Sequence, residues 1–157
     1  MIPEKVKTVL DANGLVALEF EEGSTPTAES AACRIGVEVG QIAKSLLFKG
    51  TSGRAAMVVC AGDQKISSGK IKRLCGEKMS MTNAEETFAL TGFRPGGVCP
   101  FGIDSIPVYV DESLSAWTTI YPAAGTNSTG VPMTYAQLLA ITGGATCSVT
   151  GPAETEK

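Results

Sequence analysis

Two apolar runs in the first half of the chain are long enough to form buried strands. They are IAKSLLFK (42–49) and AAMVVCAG (55–62), and the TSG segment between them suits a hairpin turn. Strand alternation places Lys44 on one face of the first run and Ser45 on the other. Lys44 needs an explanation, because an ammonium group without a partner is costly to bury.

Apolar positions at helical spacing predict helices in five other segments, each bounded by a capping residue or a glycine: 3–13, 24–37, 67–78, 81–92 and the later part of 131–143. The helix in 24–37 is expected to begin at Thr25-Pro26, because proline suits the first helical turn, and to end at Gly36. Further strands are predicted in 15–20, 106–113 and 117–125.

The order of these elements predicts the fold class. Helices and strands alternate irregularly, without the regular βαβ spacing of a doubly wound sheet. We therefore expect one α+β domain over residues 1–157, with a curved or barrel-like sheet and a polar tail from about residue 151.

Composition narrows the possible chemistry. The chain has no histidine, which excludes Ser-His-Asp and Cys-His catalysis within it and any histidine-ligated metal site. The five cysteines form no CxxC pair, so we expect reduced thiols and no metal or other cofactor. No apolar stretch approaches the ~20 residues that span a bilayer, and the first ten residues do not resemble a signal peptide. We expect a cytoplasmic protein.

The net charge of −3 argues against a protein that coats nucleic acid, although it leaves a local RNA contact open. The candidates for such a contact are basic residues in and before the third predicted helix: Lys65, Lys70, Lys72 and Arg73. A solvated helix face is the alternative interpretation. For Lys44, the alternatives are a stem packed on the sheet with its ammonium in water, or a cation at a cleft that binds phosphate, carboxylate or ribose oxygen.

The loop GFRPGGVCPFG (92–102) is rich in glycine and proline. Proline fixes φ and glycine permits conformations closed to other residues, so we expect the loop to follow one specific backbone path. Consecutive amides at Gly96, Gly97 and Val98 are candidates for an oxyanion or anion site. An ordinary tight connection is the alternative. Cys99 in this loop is a candidate nucleophile, but without histidine it needs Lys44 or the loop dipoles to form a thiolate. A later polar turn, 122–130, supplies further hydroxyl groups.

Taken together, four segments resemble the YbaK/EbsC family, which is related to the editing domain inserted in bacterial prolyl-tRNA synthetases. They are IAKSLLFK, AAMVVCAGDQKISSGKIKRL, TGFRPGGVCPFG and IYPAAGTNSTGVPMTYAQLL. The most distinctive pair is the lysine of the first strand and the GxxxP loop, GGVCP (96–100). This sequence differs from the family's namesake at Ala123 and Gly130, where the namesake has a serine and an aspartate.

The resemblance implies a mixed, mostly antiparallel, barrel-like sheet surrounded by helices, and a trans-editing aminoacyl-tRNA deacylase. The expected partners are the 3′ end of a mischarged tRNA, with a small amino acid on tRNA(Pro), and a prolyl-tRNA synthetase; no membrane or DNA is expected. Catalytic roles fall on Lys44, Gly96 and Gly97. The expected substrate-binding residues are Ser45, Phe93, Val98, Cys99, Pro100, Gly102, Ala123 and Gly125.

Two other functions remain open at this point. A module that binds a tRNA end or a synthetase would show affinity without turnover, and a thiol-dependent hydrolase would require Cys99. In the deacylase, an activated ester needs positioning and electrostatic stabilisation more than a strong nucleophile. Water, alone or assisted by the neighbouring ribose hydroxyl, would then attack the carbonyl.

Overall fold

Local sequence signals bound the helices of the computed structural model, which describes residues 2–152. The helices are α1 (Glu4–Ala12), α2 (Ala28–Ile35), α3 (Ser68–Cys75), α4 (Ala84–Thr91) and α5 (Tyr135–Thr142). The strands are β1 (Leu18–Glu19), β2 (Ile42–Gly50), β3 (Ala55–Ala61), β4 (Gln64–Ile66), β5 (Met79–Met81), β6 (Val108–Asp111), β7 (Tyr121–Pro122), β8 (Thr129–Gly130), β9 (Ala145–Cys147) and β10 (Thr150–Pro152). No helix in this range is long and apolar enough to cross a membrane.

The largest sheet has the strand order β5-β2-β3-β6-β9, and β7 pairs with β2 beside that path. β2 runs antiparallel to β3 and β5, whereas β7, β6 and β9 join by parallel pairing. Two small antiparallel sheets, β1-β8 and β10-β4, complete the set. The predicted α+β class with a mixed sheet is confirmed, but within residues 2–152 the sheets do not close into a barrel.

Both faces of the largest sheet are covered, as alternation along β2 requires. Leu47 belongs to the main core, which includes residues of α1, α5 and the 92–102 loop. Phe48 belongs to a second cluster, with Ile71 of α3 and Met79 of β5. Val58 and Val59 of β3 divide between the two clusters in the same way, and both are fully buried.

The structure shortens several predicted elements. The strand expected over 15–20 comprises only β1, and the one expected over 117–125 only β7. The predicted start of α2 at Thr25-Pro26 is wrong, because Thr27 is the N-cap and forms a capping box with Ser30. Residues 150–152 of the expected tail region belong to β10, and residues 153–157 lie outside the described part of the chain.

A buried carboxylate holds the C-terminal strands against the main sheet. Asp111 is fully buried at the end of β6. It accepts hydrogen bonds from the Val149 amide at 2.8 Å, the Thr150 hydroxyl at 2.7 Å and the Ser113 amide at 3.1 Å. Because a buried carboxylate left without donors is strongly destabilising, these contacts fix the path of the chain from β9 into β10.

Glu77, between α3 and β5, fastens the hairpin turn that joins β2 to β3. Its carboxylate accepts from the Ser52 hydroxyl and amide, both at 2.7 Å, from the Thr51 hydroxyl at 3.0 Å and from the Arg54 guanidinium at 3.0 Å. Hydrogen bonds from Ser52, with smaller contributions from Thr51 and Arg54, lower the pKa of Glu77 from 4.5 to about 2.

We expect Glu77→Gln to lower the free energy of unfolding at pH 7 but not at pH 2. A carboxyl whose pKa is lower in the folded than in the unfolded chain stabilises the fold above the unfolded value, and that stabilisation is lost as the pH falls from about 4.5 to about 2. Urea unfolding of both proteins between pH 7 and pH 2 measures the difference. Glu22→Gln, at an exposed position, is the control; a Glu77→Gln effect that does not change with pH would contradict the assignment.

Candidate functional site

One edge of β2 carries a gap in its strand pairing, and this gap forms the site. Towards β3, β2 is paired from Ala43 to Lys49. On the opposite edge, β7 pairs with Ile42 and Ala43, and β5 pairs with residues 48–50. In the described part of the chain, residues 44–47 therefore have no strand partner on that edge.

The hydrogen-bond alternation of β2 identifies which backbone groups face the gap. The Ile42 carbonyl accepts from Gly62, so the even-numbered residues exchange hydrogen bonds with β3. Odd-numbered residues face the other way, as the Leu47 carbonyl does when it accepts from Thr82. It follows that the backbone amide and carbonyl of Ser45 point into the gap.

A pocket of about 300 Å³ opens at this gap. It is bounded by β2, by the chain entering α2, by the start of α4, and by parts of the 92–102 loop and the later polar turn. Five of the predicted site residues line it: Lys44, Ser45, Gly96, Val98 and Ala123. Lys44 is the only charged residue of its lining, all of which lies in the described part of the chain.

Lys44 is half-buried, and its ammonium group is held by two backbone carbonyls, one in the connection between β3 and β4 and one at the start of β4. Nζ donates to the Gln64 carbonyl at 2.6 Å and, more weakly, to the Gly62 carbonyl at 3.4 Å. An ammonium has three N–H donors, so one remains for a ligand. The carbonyl contacts solve the problem of the lysine in an apolar strand, since they solvate the charge while the stem packs beside the sheet.

The GGVCP turn lies against two other segments at the pocket wall. Gly96 has a positive φ of 90°, and a Cβ on Gly97 would lie 2.8 Å from the Thr126 backbone. The Gly97 amide donates to the Arg94 carbonyl at 2.9 Å, which closes a turn. The prediction that three consecutive amides converge on one acceptor is therefore wrong for Gly97, whose donor is occupied and which does not line the pocket.

The structure separates the other predicted substrate-binding residues from the pocket. Five of them do not line it: Phe93, Cys99, Pro100, Gly102 and Gly125. Phe93 and Cys99 are buried in the main core. Gly102 lies beside the side chain of Lys5, and Gly125 lies beside Pro3. These residues shape the loops behind the pocket wall and do not reach a ligand in it.

The burial of Cys99 opposes formation of the thiolate that a nucleophile requires. It is fully buried, and this desolvation raises the pKa of its thiol from 9.0 to about 12. Lys44 does not lie among the groups that influence it. The same effect raises the pKa of Cys60 and Cys147 to about 12. The structure thus contradicts the thiol-dependent hydrolase.

Three of the four predicted RNA-binding side chains are exposed, and the fourth is hydrogen-bonded within the protein. Lys65 on β4 and both Lys72 and Arg73 on α3 are exposed. Lys70 is half-buried, and its ammonium donates to the Thr150 carbonyl at 3.2 Å. Lys65 directly follows Gln64, whose backbone carbonyl accepts a hydrogen bond from Lys44. An exposed cation is therefore next in sequence to the residue that holds the pocket lysine.

Several pocket residues were not identified from the sequence, chief among them Thr25, Thr82 and Thr129. Each lies on a different segment, so only the tertiary fold brings them together. The one available signal was the cluster of hydroxyl residues in 122–130, which includes Thr129. Within residues 2–152 there is no group of three or more His, Cys, Asp or Glu side chains that could hold a metal ion.

Comparison with known proteins assigns the family. The model of the aminoacyl-tRNA editing domain matches residues 22–141. The protein YwhH of Bacillus subtilis is 41% identical over 121 residues, which cover 76% of each chain. A proline–tRNA ligase of Bacillus licheniformis is 34% identical over 116 residues, and the match covers 71% of this chain but only 20% of the ligase. The chain belongs to the aminoacyl-tRNA editing domain family.

A solved structure agrees with this assignment over nearly the whole chain. A candidate trans-editing enzyme for prolyl tRNA synthetase superposes with a TM-score of 0.85 and 34% identity, covering 96% of this chain and 99% of that one. The hypothetical protein APE2540 superposes with a TM-score of 0.87 and 28% identity, covering 94% and 100%. The predicted resemblance to the YbaK/EbsC family is confirmed.

We expect Cys99 to resist alkylation in the folded protein. Iodoacetamide at pH 7.5 should modify the exposed Cys33, whereas Cys99 should react only after denaturant is added, because its thiol is buried and protonated. Peptide mapping by mass spectrometry measures both sites in one sample, with Cys33 as the internal control. Rapid modification of Cys99 in the native protein would contradict the burial.

Proposed function

We propose that this protein is an aminoacyl-tRNA deacylase that hydrolyses the ester of a mischarged tRNA, with a small amino acid on tRNA(Pro) as the first substrate to test. The observation that carries the proposal is the pocket at the gap in β2, which combines one lysine with the Gly96–Val98 turn. Membership of the editing-domain family supports the same chemistry. The pocket volume of about 300 Å³ suits one small group rather than a folded RNA element.

Lys44 is proposed to hold the terminal nucleotide. Two of its donors are occupied by the Gln64 and Gly62 carbonyls, which fix the direction of the ammonium group. The remaining donor would bind a phosphate or ribose oxygen of the 3′-terminal adenosine in a charge-assisted hydrogen bond. No pocket residue carries a negative charge that would compete for it.

The scissile ester is proposed to lie between this anchor and the Gly96–Val98 turn. The Gly96 and Val98 amides and the Ser45 amide, which faces the gap, are the backbone donors available to stabilise the oxyanion that forms when water adds to the carbonyl. The ester is already activated, so positioned water, assisted by the neighbouring ribose hydroxyl, is sufficient as the nucleophile. The nucleophile adds to the carbonyl carbon, and the ribose oxygen leaves with a proton.

The acceptor stem is proposed to continue across the exposed cations Lys65, Lys72 and Arg73. Each contact to a phosphate releases counterions and makes binding depend on salt. Lys70 is assigned a structural role, because its ammonium is already bound by the Thr150 carbonyl of β10. A stable complex with a prolyl-tRNA synthetase remains a proposal that the tRNA contacts do not require.

We expect Lys44→Ala to lower kcat/KM for a mischarged tRNA by about 100- to 1,000-fold, as the loss of a preorganised donor does in other enzymes. The assay is deacylation of tRNA(Pro) charged with Ala, Cys, Ser, Thr or Pro, with sparing of Pro-tRNA expected. Lys49→Ala is the matched control, since Lys49 lies on the same strand and pairs with the half-buried Glu86.

Retained deacylation by a well-folded Lys44→Ala protein would remove the proposed role of Lys44. Turnover of none of the five esters by wild type, with the tRNA still retained in a filter-binding assay, would replace the deacylase with a binding module. Circular dichroism and thermal melting of both lysine variants establish that each is folded.

We expect Lys65→Ala to weaken tRNA binding and to reduce the dependence of log Kd on log salt concentration by about 0.7 to 0.9, the value of one phosphate contact. Filter binding of tRNA(Pro) between about 50 and 200 mM salt measures this slope. Lys7→Ala is the control, because Lys7 lies on α1 and pairs with Asp11. An unchanged slope in Lys65→Ala would contradict the contact.

A further inference from the structure

Two buried hydroxyl groups in the pocket have no hydrogen-bond partner within the protein. Thr25 is only 5% exposed, and its Oγ1 atom is buried without a partner in the described part of the chain. The same holds for Oγ of Ser45. Both residues line the pocket at the gap in β2. Because an unsatisfied buried hydroxyl costs free energy, natural proteins seldom keep one without a reason.

The other threonines of the pocket differ from these two. Thr82 donates to the Leu47 carbonyl and shares a hydrogen bond of 2.7 Å with Thr87. Thr129 accepts from the Ala124 amide at 2.9 Å, and its own hydroxyl contacts Thr126. The pocket lining therefore includes threonines whose hydroxyls are satisfied and two residues whose hydroxyls are not, one in the chain before α2 and one in the open stretch of β2.

We propose that Thr25 and Ser45 are specificity-determining residues whose hydroxyls hydrogen-bond a hydroxyl group on the side chain of the bound aminoacyl moiety, so that seryl and threonyl esters are preferred over alanyl esters. This inference rests on the proposed function and assigns its substrate class. Each protein hydroxyl both donates and accepts, and a substrate hydroxyl placed between the two satisfies one donor and one acceptor.

The charges of the pocket favour a neutral hydroxyl over the α-ammonium group as the partner. No Asp or Glu lines the pocket, and its one charged residue is the cationic Lys44. A buried ammonium near a like charge, without a carboxylate, would be strongly disfavoured. The α-ammonium is thus assigned to the open mouth, where water solvates it.

The preference for a seryl over an alanyl ester follows from the protein hydroxyls that an alanyl group would leave without a partner. An alanyl group has a hydrogen atom where a seryl group has its hydroxyl, so it would leave Thr25 and Ser45 unpaired, and sites built to hydrogen-bond a substrate hydroxyl reject analogues without it. With about tenfold for each neutral hydrogen bond, two bonds give a preference of about 100-fold for the seryl over the alanyl ester.

The test compares kcat/KM for Ser-tRNA(Pro), Thr-tRNA(Pro) and Ala-tRNA(Pro) in wild type, Thr25→Val and Ser45→Ala. Each variant is expected to lower the ratio of kcat/KM for the seryl and threonyl esters to kcat/KM for the alanyl ester by about tenfold. Ser24→Ala is the matched control, because Ser24 Oγ is also buried and unpartnered but Ser24 does not line the pocket. Its selectivity should equal that of wild type.

Binding of non-hydrolysable 3′-seryl-amido and 3′-alanyl-amido adenosine separates failure of the inference from failure of the proposed function. Tighter binding of the seryl compound by wild type, lost in both pocket variants, supports the inference even if no ester is hydrolysed and the deacylase is overturned. Equal rates and affinities for seryl and alanyl substrates, or an equal loss on both in the variants, would overturn the inference and leave a deacylase intact.

Thermal unfolding adds a readout that a structural role would change. Removing an unpaired buried hydroxyl should leave the melting temperature of Thr25→Val and Ser45→Ala unchanged or raise it. A marked fall in both variants would show that the hydroxyls are bonded within the fold, and it would overturn the inference.

Discussion

The whole site depends on incomplete pairing along one edge of a single strand. β2 is fully paired with β3, so its path and its twist are fixed by an antiparallel ladder of seven residue pairs from Ala43 to Lys49. On its other edge the partners stop short at both ends. A rigid strand with unpaired backbone groups at a defined place is well suited to bind a small ligand, because those groups need no reorganisation when the ligand arrives.

Lys44 shows how the fold keeps a charge at this edge without an acidic partner. The backbone carbonyls of Gly62 and Gln64 accept from its ammonium group, and carbonyls carry no net charge that would neutralise the lysine. The cation therefore remains available to an anionic ligand. With no histidine in the chain and Cys99 buried with its thiol protonated, catalysis would have to rely on positioned donors and on the substrate itself.

Local signals predicted most of the regular structure. Capping residues Asn83 and Ser67 and terminal glycines such as Gly92 bound their helices where the sequence indicates. The apolar runs likewise became β2 and β3. The short strands β4, β5, β8, β9 and β10 were not predicted, since two or three residues carry too little pattern and depend on partners distant in the chain.

The site was only partly predictable for the same reason. Lys44 and Gly96 are recognisable from their unusual sequence settings, but the occupied amide of Gly97 depends on the closing of a turn on Arg94. That Thr25 and Ser45 line one pocket depends on how α2 packs beside β2. Whether a hydroxyl is satisfied is a property of the tertiary structure alone.

The hydrogen bonds that hold Lys44 depend on strands close to the C-terminal end of the described residues. Gln64, which holds the ammonium, belongs to β4, and within residues 2–152 the strand that pairs with β4 is β10. β10 in turn is fixed by Asp111 and Lys70 through Thr150. The family model stops at residue 141, so a fragment cut at that boundary would remove the strand that supports the lysine's acceptors. A fragment of this chain designed to keep the contacts of Lys44 should therefore extend through residue 152.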